Sequence, residues 1–400
     1  MRWLLPLATG ALVLAGCEEE LTVPGRCPEL CPGGQPLVQD TVVLAIEGSD
    51  TAFFGYSGHT GTTSLLVSNG LEAGEARSWV RFPQRSDSVT VSSVVHPYTT
   101  DSVVFAFNLV ARDTLVSGLK LYLHRVPLAF DSLTTFPDIE AALGPASLID
   151  SIAVPDSVKS GTIRALITDS TTLANLIPPD DSGRLALGIR MVADEPTGVR
   201  LSAIGGSGGA AFATYVKADV ADTALQRQTI SLSSEDNGFA LASAGDAIDP
   251  DLLYAGRRPS GRSVLRFPIP DFFRDSSVIL VRATLELTPA EPLLGLRGDA
   301  ALIDIRGVIK DIGAKSTPSF AVNGSASLPT DGSTALFAVD VLGIVQLWGL
   351  PEGGLPPTVL VALAPDGGSF HRPVFRSTRS AEGKPRLRIT YMRPSQVEQP

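Results

Sequence analysis

A six-residue pattern that occurs twice restricts the folds open to this chain more than any other feature. Residues 78–83 read Ser-Trp-Val-Arg-Phe-Pro and residues 263–268 read Ser-Val-Leu-Arg-Phe-Pro, so that Arg81 corresponds to Arg266. Solenoid and propeller repeats have periods of about 20 to 50 residues. The much longer spacing between these two copies therefore indicates a duplicated domain, each copy being large enough to bury its own core.

The segments around both copies favour β-strands. Short runs rich in Val, Ile, Thr and Phe alternate with Gly, Pro, Asp and Ser, as in residues 41–46, 102–110 and 185–192. Such runs are typical of strands joined by turns. We therefore predict an all-β fold of two tandem antiparallel β-sandwich domains, jelly-roll-like, with one or two short helices each. The first domain would cover residues 37–220 and the second residues 221–395.

Helical signals are few. In residues 339–348, Val341, Ile344 and Trp348 recur at the spacing of one helical face. Asp340 stands where its side chain could accept backbone N–H groups at the helix start. The second domain is therefore expected to carry a short helix in this segment.

Charge and composition limit the possible functions. Hydrophobic residues make up 44% of the chain and charged residues 18%, as in a globular protein. The formal net charge of −10 argues against general nucleic-acid binding. Residues 221–400 contain 18 Lys and Arg against 19 Asp and Glu, so the acidic excess lies in the first half. If either half attracts an anion, the second half is therefore the expected one. These data do not predict the oligomeric state.

The first 16 residues have the features of a secretory leader. One cation, Arg2, precedes an apolar run that is too short to span a bilayer. The run ends in Leu-Ala-Gly-Cys at Cys17, which resembles a bacterial lipobox. The resemblance implies cleavage before Cys17 and acylation of its thiol. We therefore predict a signal peptide at 1–16, a lipidated tether at 17–36 and an outer-membrane lipoprotein facing the periplasm or the cell surface.

Two further cysteines, Cys27 and Cys31, lie in a segment rich in Pro and Gly. In an oxidising compartment they could form a short-range disulfide, or they could remain free thiols. A metal site needs more ligands than this pair supplies. No metal site and no cofactor are predicted.

The second half is similar to the DNRLRE-type domain, which is related to carbohydrate-binding module family 96. The resemblance rests on a series of motifs at residues 262–267, 283–287, 340–348, 375–377 and 385–391. The first half keeps the motif at 78–83 and has an insertion between Phe82 and Leu119. The resemblance implies a β-sandwich that binds carbohydrate without catalysis.

Arginines supply the candidate binding residues. A polysaccharide with carboxylate groups would be recognised by planar guanidinium groups. Six arginines near the second repeated motif and the terminal strand form the predicted site: Arg257, Arg258, Arg262, Arg266, Arg376 and Arg388. The alternative is a solvated rim, or arginines that hydrogen-bond strands to loops.

Catalytic signals are weak. Ser207 lies in a Gly-x-Ser-x-Gly motif, and Asp340 and His371 follow it in the order of a hydrolase triad. The alternation of strands and helices that such a triad requires is absent, and the surrounding glycines indicate a loop. We therefore predict a non-enzymatic binding module at the cell envelope, for which an anionic polysaccharide is one ligand. A structural or adhesion scaffold is the alternative, and a serine hydrolase using Ser207 is the remote one.

Overall fold

The computed structural model describes residues 37–54, 63–176, 183–204, 206, 208–242, 248–256, 260–330, 332–350 and 353–393. In chain order the strands of these residues are β1 Leu37–Leu44, β2 Thr51–Phe53, β3 Ser64–Asn69, β4 Ala76–Phe82, β5 Ser88–Val91, β6 Val94–Arg112, β7 Lys120–Arg125, β8 Leu148–Ala153, β9 Gly161–Ile167, β10 Leu185–Val192, β11 Thr197–Ser202, β12 Ala211–Ala218, β13 Arg227–Ser233, β14 Asp236–Leu241, β15 Leu252–Tyr254, β16 Arg262–Arg266, β17 Ile279–Leu287, β18 Ala301–Lys310, β19 Thr317–Leu328, β20 Phe337–Asp340, β21 Thr358–Ala364, β22 Val374–Arg376 and β23 Arg386–Arg393. The helices are α1 Phe136–Ala142, α2 Ser170–Leu176 and α3 Leu342–Gln346. The prediction of an all-β fold is confirmed.

Two sheets enclose the first large hydrophobic core. A five-stranded sheet has the order β14-β4-β10-β7-β8, and a seven-stranded sheet has the order β13-β12-β6-β11-β3, with β5 and β9 also pairing with β6. All these pairings are antiparallel. The rings of Phe82, Phe105 and Phe212 meet between the sheets, with the centroids of Phe105 and Phe212 5.1 Å apart. This contact between two sheets is the packing expected of a β-sandwich.

Two other sheets enclose the second large core. Their orders are β1-β23-β17-β20 and β19-β18-β21-β16-β2, and a short β15-β22 pair lies beside them. Phe267 stacks on Trp348 with ring centroids 5.9 Å apart. Trp348 follows α3. Strand β20 runs to Asp340 and buries Val339 in the core, so α3 begins only at Leu342. The helix is thus shorter than predicted, and its N-cap residue is Val341, which makes no side-chain cap hydrogen bond. The Oδ1 atom of Asp340, one residue before the N-cap, accepts the backbone N–H of Leu342 at 2.9 Å.

The two repeats have the same strand order. The repeated motifs form β4 and β16, which pair with β10 and β21, respectively, and those strands pair in turn with β7 and β18. In the facing sheets, β6 pairs with β12 and β9, just as β17 pairs with β23 and β20. The two copies of the sequence motif therefore occupy equivalent places.

The first two strands of each repeat complete the sandwich of the other repeat. β1 pairs with β23 and β2 with β16, so the beginning of the chain closes the second sandwich. β13 pairs with β12 and β14 with β4, so residues 227–241 close the first. A short connection from β12 to β13 makes their hairpin the local pairing, and β1 then pairs with the equivalent edge on β23. The predicted boundary at residue 220 therefore separates the two repeats in the sequence, but each sandwich contains strands from both sides of this boundary.

A small apolar cluster joins the two sandwiches. Leu296 and Phe370 pack against Leu66 and Phe239 of the first sandwich. A Cβ atom at Gly198 would lie 2.9 Å from the Phe370 ring, so only glycine allows this approach. The joint between the two sandwiches therefore depends on the close approach of Phe370 to Gly198.

Charged and polar groups complete this joint. The guanidinium of Arg200 donates to both oxygens of Asp299 at 3.0 and 2.5 Å, linking β11 to the second sandwich. His371 is buried, with its Nδ1 atom 2.6 Å from the Oγ atom of Ser369. Burial lowers the pKa of His371; Asp299 and the backbone carbonyl of Leu296 oppose this shift, and Arg200 reinforces it.

Acidification is expected to weaken the protein through His371. The unfolded chain, with the ordinary histidine pKa of 6.5, binds the proton at a higher pH than the folded joint does. This contribution to stability is therefore complete above about pH 6.5 and decreases as the pH falls below it. Thermal unfolding between pH 7.5 and 5.5 should show a smaller loss of Tm for His371→Asn than for the unaltered protein. His96→Asn, on strand β6, is the control, and equal slopes for His371→Asn and the unaltered protein would contradict the expectation.

Candidate functional site

Several predicted residues lie outside the described residues. These are the lipidation residue Cys17, the cysteines Cys27 and Cys31, the arginines Arg257 and Arg258, and Ser207. The predicted leader and tether, residues 1–36, also lie there. Within the described ranges, no helix is long and apolar enough to cross a membrane.

Arg262 and Arg266 lie at the two ends of β16, on the face of the sheet that points away from the core. The Nε and Nη2 atoms of Arg262 donate to Asp366 at 2.8 and 2.5 Å. Arg266 binds both oxygens of Asp311 at 2.5 and 2.7 Å, and these hydrogen bonds raise the pKa of Arg266 and lower that of Asp311. Both arginines thus form the strand-to-loop links that were the alternative to ligand binding.

Arg388 and Arg376 lie elsewhere. Arg388 is on the outer face of the β1-β23-β17-β20 sheet, where it and Arg386 donate to the buried Glu286 at 2.9 and 2.5 Å. Burial raises the pKa of Glu286, but the two arginines outweigh this effect and lower it. Arg376 is exposed at the end of β22. The structure therefore distributes the described members of the predicted set over different sheets and does not bring them into one groove.

A groove on the outer face of the β19-β18-β21-β16-β2 sheet includes one predicted arginine. Its volume is about 240 Å³, and Arg262, Arg306 and Phe320 line it. Phe320, on β19, is 81% exposed. The guanidinium of Arg306 lies 4.7 Å from the centroid of the Phe320 ring, and its Nε atom donates to Asp304 at 2.5 Å. We call this site the Phe320 groove.

Two Arg–Asp pairs give the Phe320 groove fixed planar polar groups around an exposed ring. Asp304 also accepts a hydrogen bond from Asn323 at 2.8 Å, which holds its carboxylate in place. In each of the pairs Arg262–Asp366 and Arg306–Asp304, the carboxylate neutralises the charge of the arginine. The groove can therefore stack an apolar ring face and exchange hydrogen bonds with hydroxyl groups, without a strong preference for either charge.

The equivalent face of the first sandwich is covered by the chain itself. Arg77 of β4, which corresponds to Arg262, is buried and donates to Glu140 of α1 at 2.6 Å. Its guanidinium lies 5.2 Å from the centroid of the Phe136 ring. Trp79 is buried beneath the same segment, edge-on to Phe130. This cover comes from the segment between β7 and β8, which carries α1, and not from the insertion between Phe82 and Leu119.

The sequence did not single out Phe320. An aromatic side chain in a strand is usually a core residue. Alternation along β19 was the available signal, because buried Ser319 alternates with Phe320, but which face of that strand lies open depends on the neighbouring chain. Arg262 was selected for its neighbours in sequence, and it lies in the groove because β16 pairs with β21.

Asp340 and His371, which follow Ser207 in the order of a hydrolase triad, both lie among the described residues. Asp340 accepts the backbone N–H of Leu342 at the start of α3, and His371 lies in the joint beside Ser369, so each has a structural role. The described residues contain no cluster of three or more His, Cys, Asp or Glu side chains able to hold a metal ion. Asp366 serves as the partner of Arg262.

Comparison with known proteins adds no function. No family model and no curated protein matches the chain. Among solved structures, the chain has a weak similarity to that of a T=3 Penaeus vannamei nodavirus, with 12% identity over 95% of this chain and 94% of that one. It has a similar one to that of the Macrobrachium rosenbergii nodavirus, with 10% identity over 94% of this chain and 93% of that one. Their TM-scores of 0.18 and 0.17 carry no argument about this protein.

Proposed function

We propose that this protein is an exported, lipid-anchored module that binds a polysaccharide at the cell envelope and performs no catalysis. The observation that carries the binding proposal is Phe320, exposed on an open sheet face between two Arg–Asp pairs. The lipobox-like sequence at Cys17 supports the anchor, and the resemblance to DNRLRE-type domains supports the ligand class.

The chemistry of the Phe320 groove suits sugar rings. One face of a pyranose carries C–H groups and stacks on an aromatic ring, while its equatorial hydroxyls both donate and accept hydrogen bonds. Asp304 and Asp366 offer acceptors, and Arg262 and Arg306 offer donors. A groove on an open sheet face suits a polymer better than a small molecule, since sites for small molecules are usually more deeply enclosed.

The first sandwich supports this assignment by analogy within the molecule. There the chain places the Phe136 ring and the Glu140 carboxylate against Arg77 on the corresponding face. The face is therefore able to hold an apolar ring together with an anionic group. On the second sandwich the corresponding face is available to a ligand. The preference for an acidic polysaccharide stays a prediction for the Phe320 groove.

Replacing Phe320 is expected to abolish most retention of neutral polysaccharides. Loss of a central stacking ring should weaken binding about tenfold, which corresponds to about 1.4 kcal/mol. The full-length Phe320→Ala protein would be compared with the unaltered protein on an array of neutral polysaccharides. Leu133→Ala is a matched control, because Leu133 is 82% exposed and lies far along the chain in the first repeat.

Two outcomes would count against the proposal. Retention of no polysaccharide by the unaltered protein would favour the scaffold alternative. Retention of neutral polysaccharides that Phe320→Ala leaves unchanged would show that the Phe320 groove is not the site. Arg306→Ala is a second variant for the same comparison, since it removes a donor from the groove wall.

A further inference from the structure

A larger groove lies on the outer face of the seven-stranded sheet of the first sandwich. Its volume is about 780 Å³, within the range of about 300–1,000 Å³ that is usual for ligand sites. Side chains of β6, β9, β12 and β13 line it, together with the loop between β12 and β13. We call it the Tyr215 groove after the aromatic residue on β12, which is 43% exposed.

Two cations lie side by side in this groove. Lys217 on β12 is the direct cross-strand partner of Arg227 on β13, and both side chains are exposed and line the groove. Like charges that are directly opposite on neighbouring strands repel each other. Among the described residues, neither side chain has an ion-pair partner, unlike the arginines of the second sandwich.

The local charge of the groove is opposite in sign to that of the whole chain. Asp101 is the one carboxylate among the described lining residues, so the lining has a net charge of about +1. At physiological ionic strength the Debye length is about 8 Å, and more distant acidic groups are therefore largely screened. An anionic group of a ligand would relieve the repulsion between Lys217 and Arg227.

The remaining lining is suited to the neutral part of a sugar. Tyr215 supplies a ring, and Ser102 and Thr229, its cross-strand neighbours, supply hydroxyls. The amide groups of Gln226 and Gln228 donate to the carbonyls of Val220 and Leu225 at 3.0 and 2.8 Å. These bonds fix both amides, so that their side-chain oxygens act as preorganised acceptors.

We propose that the Tyr215 groove binds an acidic polysaccharide, with a carboxylate or sulfate held between Lys217 and Arg227 and a sugar ring stacked on Tyr215. The site is separate from the Phe320 groove and does not depend on it. Arg227 comes from the second repeat and Lys217 from the first, so the site exists only because β13 completes the first sandwich.

Affinity electrophoresis of the full-length protein tests this site. Gels would contain polygalacturonate for the carboxylate source, dextran sulfate for the sulfate source, or dextran as the neutral polymer. We expect retardation by at least one acidic polymer, less retardation at 200 mM than at 50 mM salt, and none by dextran. Lys217→Ala with Arg227→Ala should weaken binding about tenfold or more, and Tyr215→Ala should weaken it while Tyr215→Phe should not.

A control of equal charge separates the site from the overall charge. Lys159→Ala with Arg184→Ala removes two exposed cations outside the groove and should leave binding unchanged. The proposal is overturned if neither acidic polymer binds, if dextran binds equally well, or if the two double variants behave alike. Phe320→Ala is expected to retain binding in these gels, so a failure of the Phe320 site would be seen separately.

Discussion

Val43→Asp is expected to unfold the second sandwich, although Val43 lies in the part of the sequence assigned to the first domain. Val43 is buried in the second core through β1, which pairs along its whole length with β23. A carboxylate there would have no partner in an apolar cluster. Burying an unpaired charge costs several kcal/mol, a large fraction of the stability of a domain.

The neighbouring residue provides the control. Val42 is 45% exposed on the opposite face of β1 and stands opposite Arg388, so Val42→Asp should leave stability nearly unchanged. Hydrogen exchange resolved by segment would locate the effect. Val43→Asp should remove protection from β17 and β23 and leave β6 and β10 protected. Loss of protection in the first sandwich instead would show that β1 does not belong to the second.

Arg200→Ala is expected to destabilise the joint by about 3 kcal/mol. Asp299 is almost completely buried, and without Arg200 the one hydrogen bond that its carboxylate would keep within the described part of the chain is from the backbone N–H of Ala300, at 3.0 Å. Removing one partner of a buried ion pair costs more than the pair contributes, because the remaining charge stays desolvated. Denaturant unfolding of the full-length protein measures the change.

Two comparisons make this expectation specific. Lys384→Ala breaks the pair with the exposed Glu47 and should cost less than about 1 kcal/mol. Arg200→Leu combined with Asp299→Leu should recover much of the stability lost in Arg200→Ala, since both charges are gone. Equal effects of Arg200→Ala and Lys384→Ala would indicate that Asp299 is not held by burial.

Part of the candidate site was accessible from the sequence. Arg262 was selected, and the structure places it in the Phe320 groove. Arg266 and Arg388 were selected by the same argument and lie against Asp311 and Glu286, which are distant in sequence. Sequence clustering of cations cannot reveal whether a carboxylate from another strand neutralises them. Lys217 was not selected, because its cross-strand partner belongs to the other repeat.

The sequence by itself determined the strands, the duplication and the equivalent positions of the two repeated motifs. Alternation, β-branched residues and turn sequences act over a few residues, so they can be read locally. The tertiary structure alone decided that β1 closes the second sandwich and β13 the first. Two equivalent hairpins can fill two equivalent edges, and the sequence pattern is the same for either arrangement. The short β12–β13 connection favours the local pairing. That pairing creates the Tyr215 groove, and the Phe320 groove lies on the face whose equivalent in the first sandwich is covered by the α1 segment.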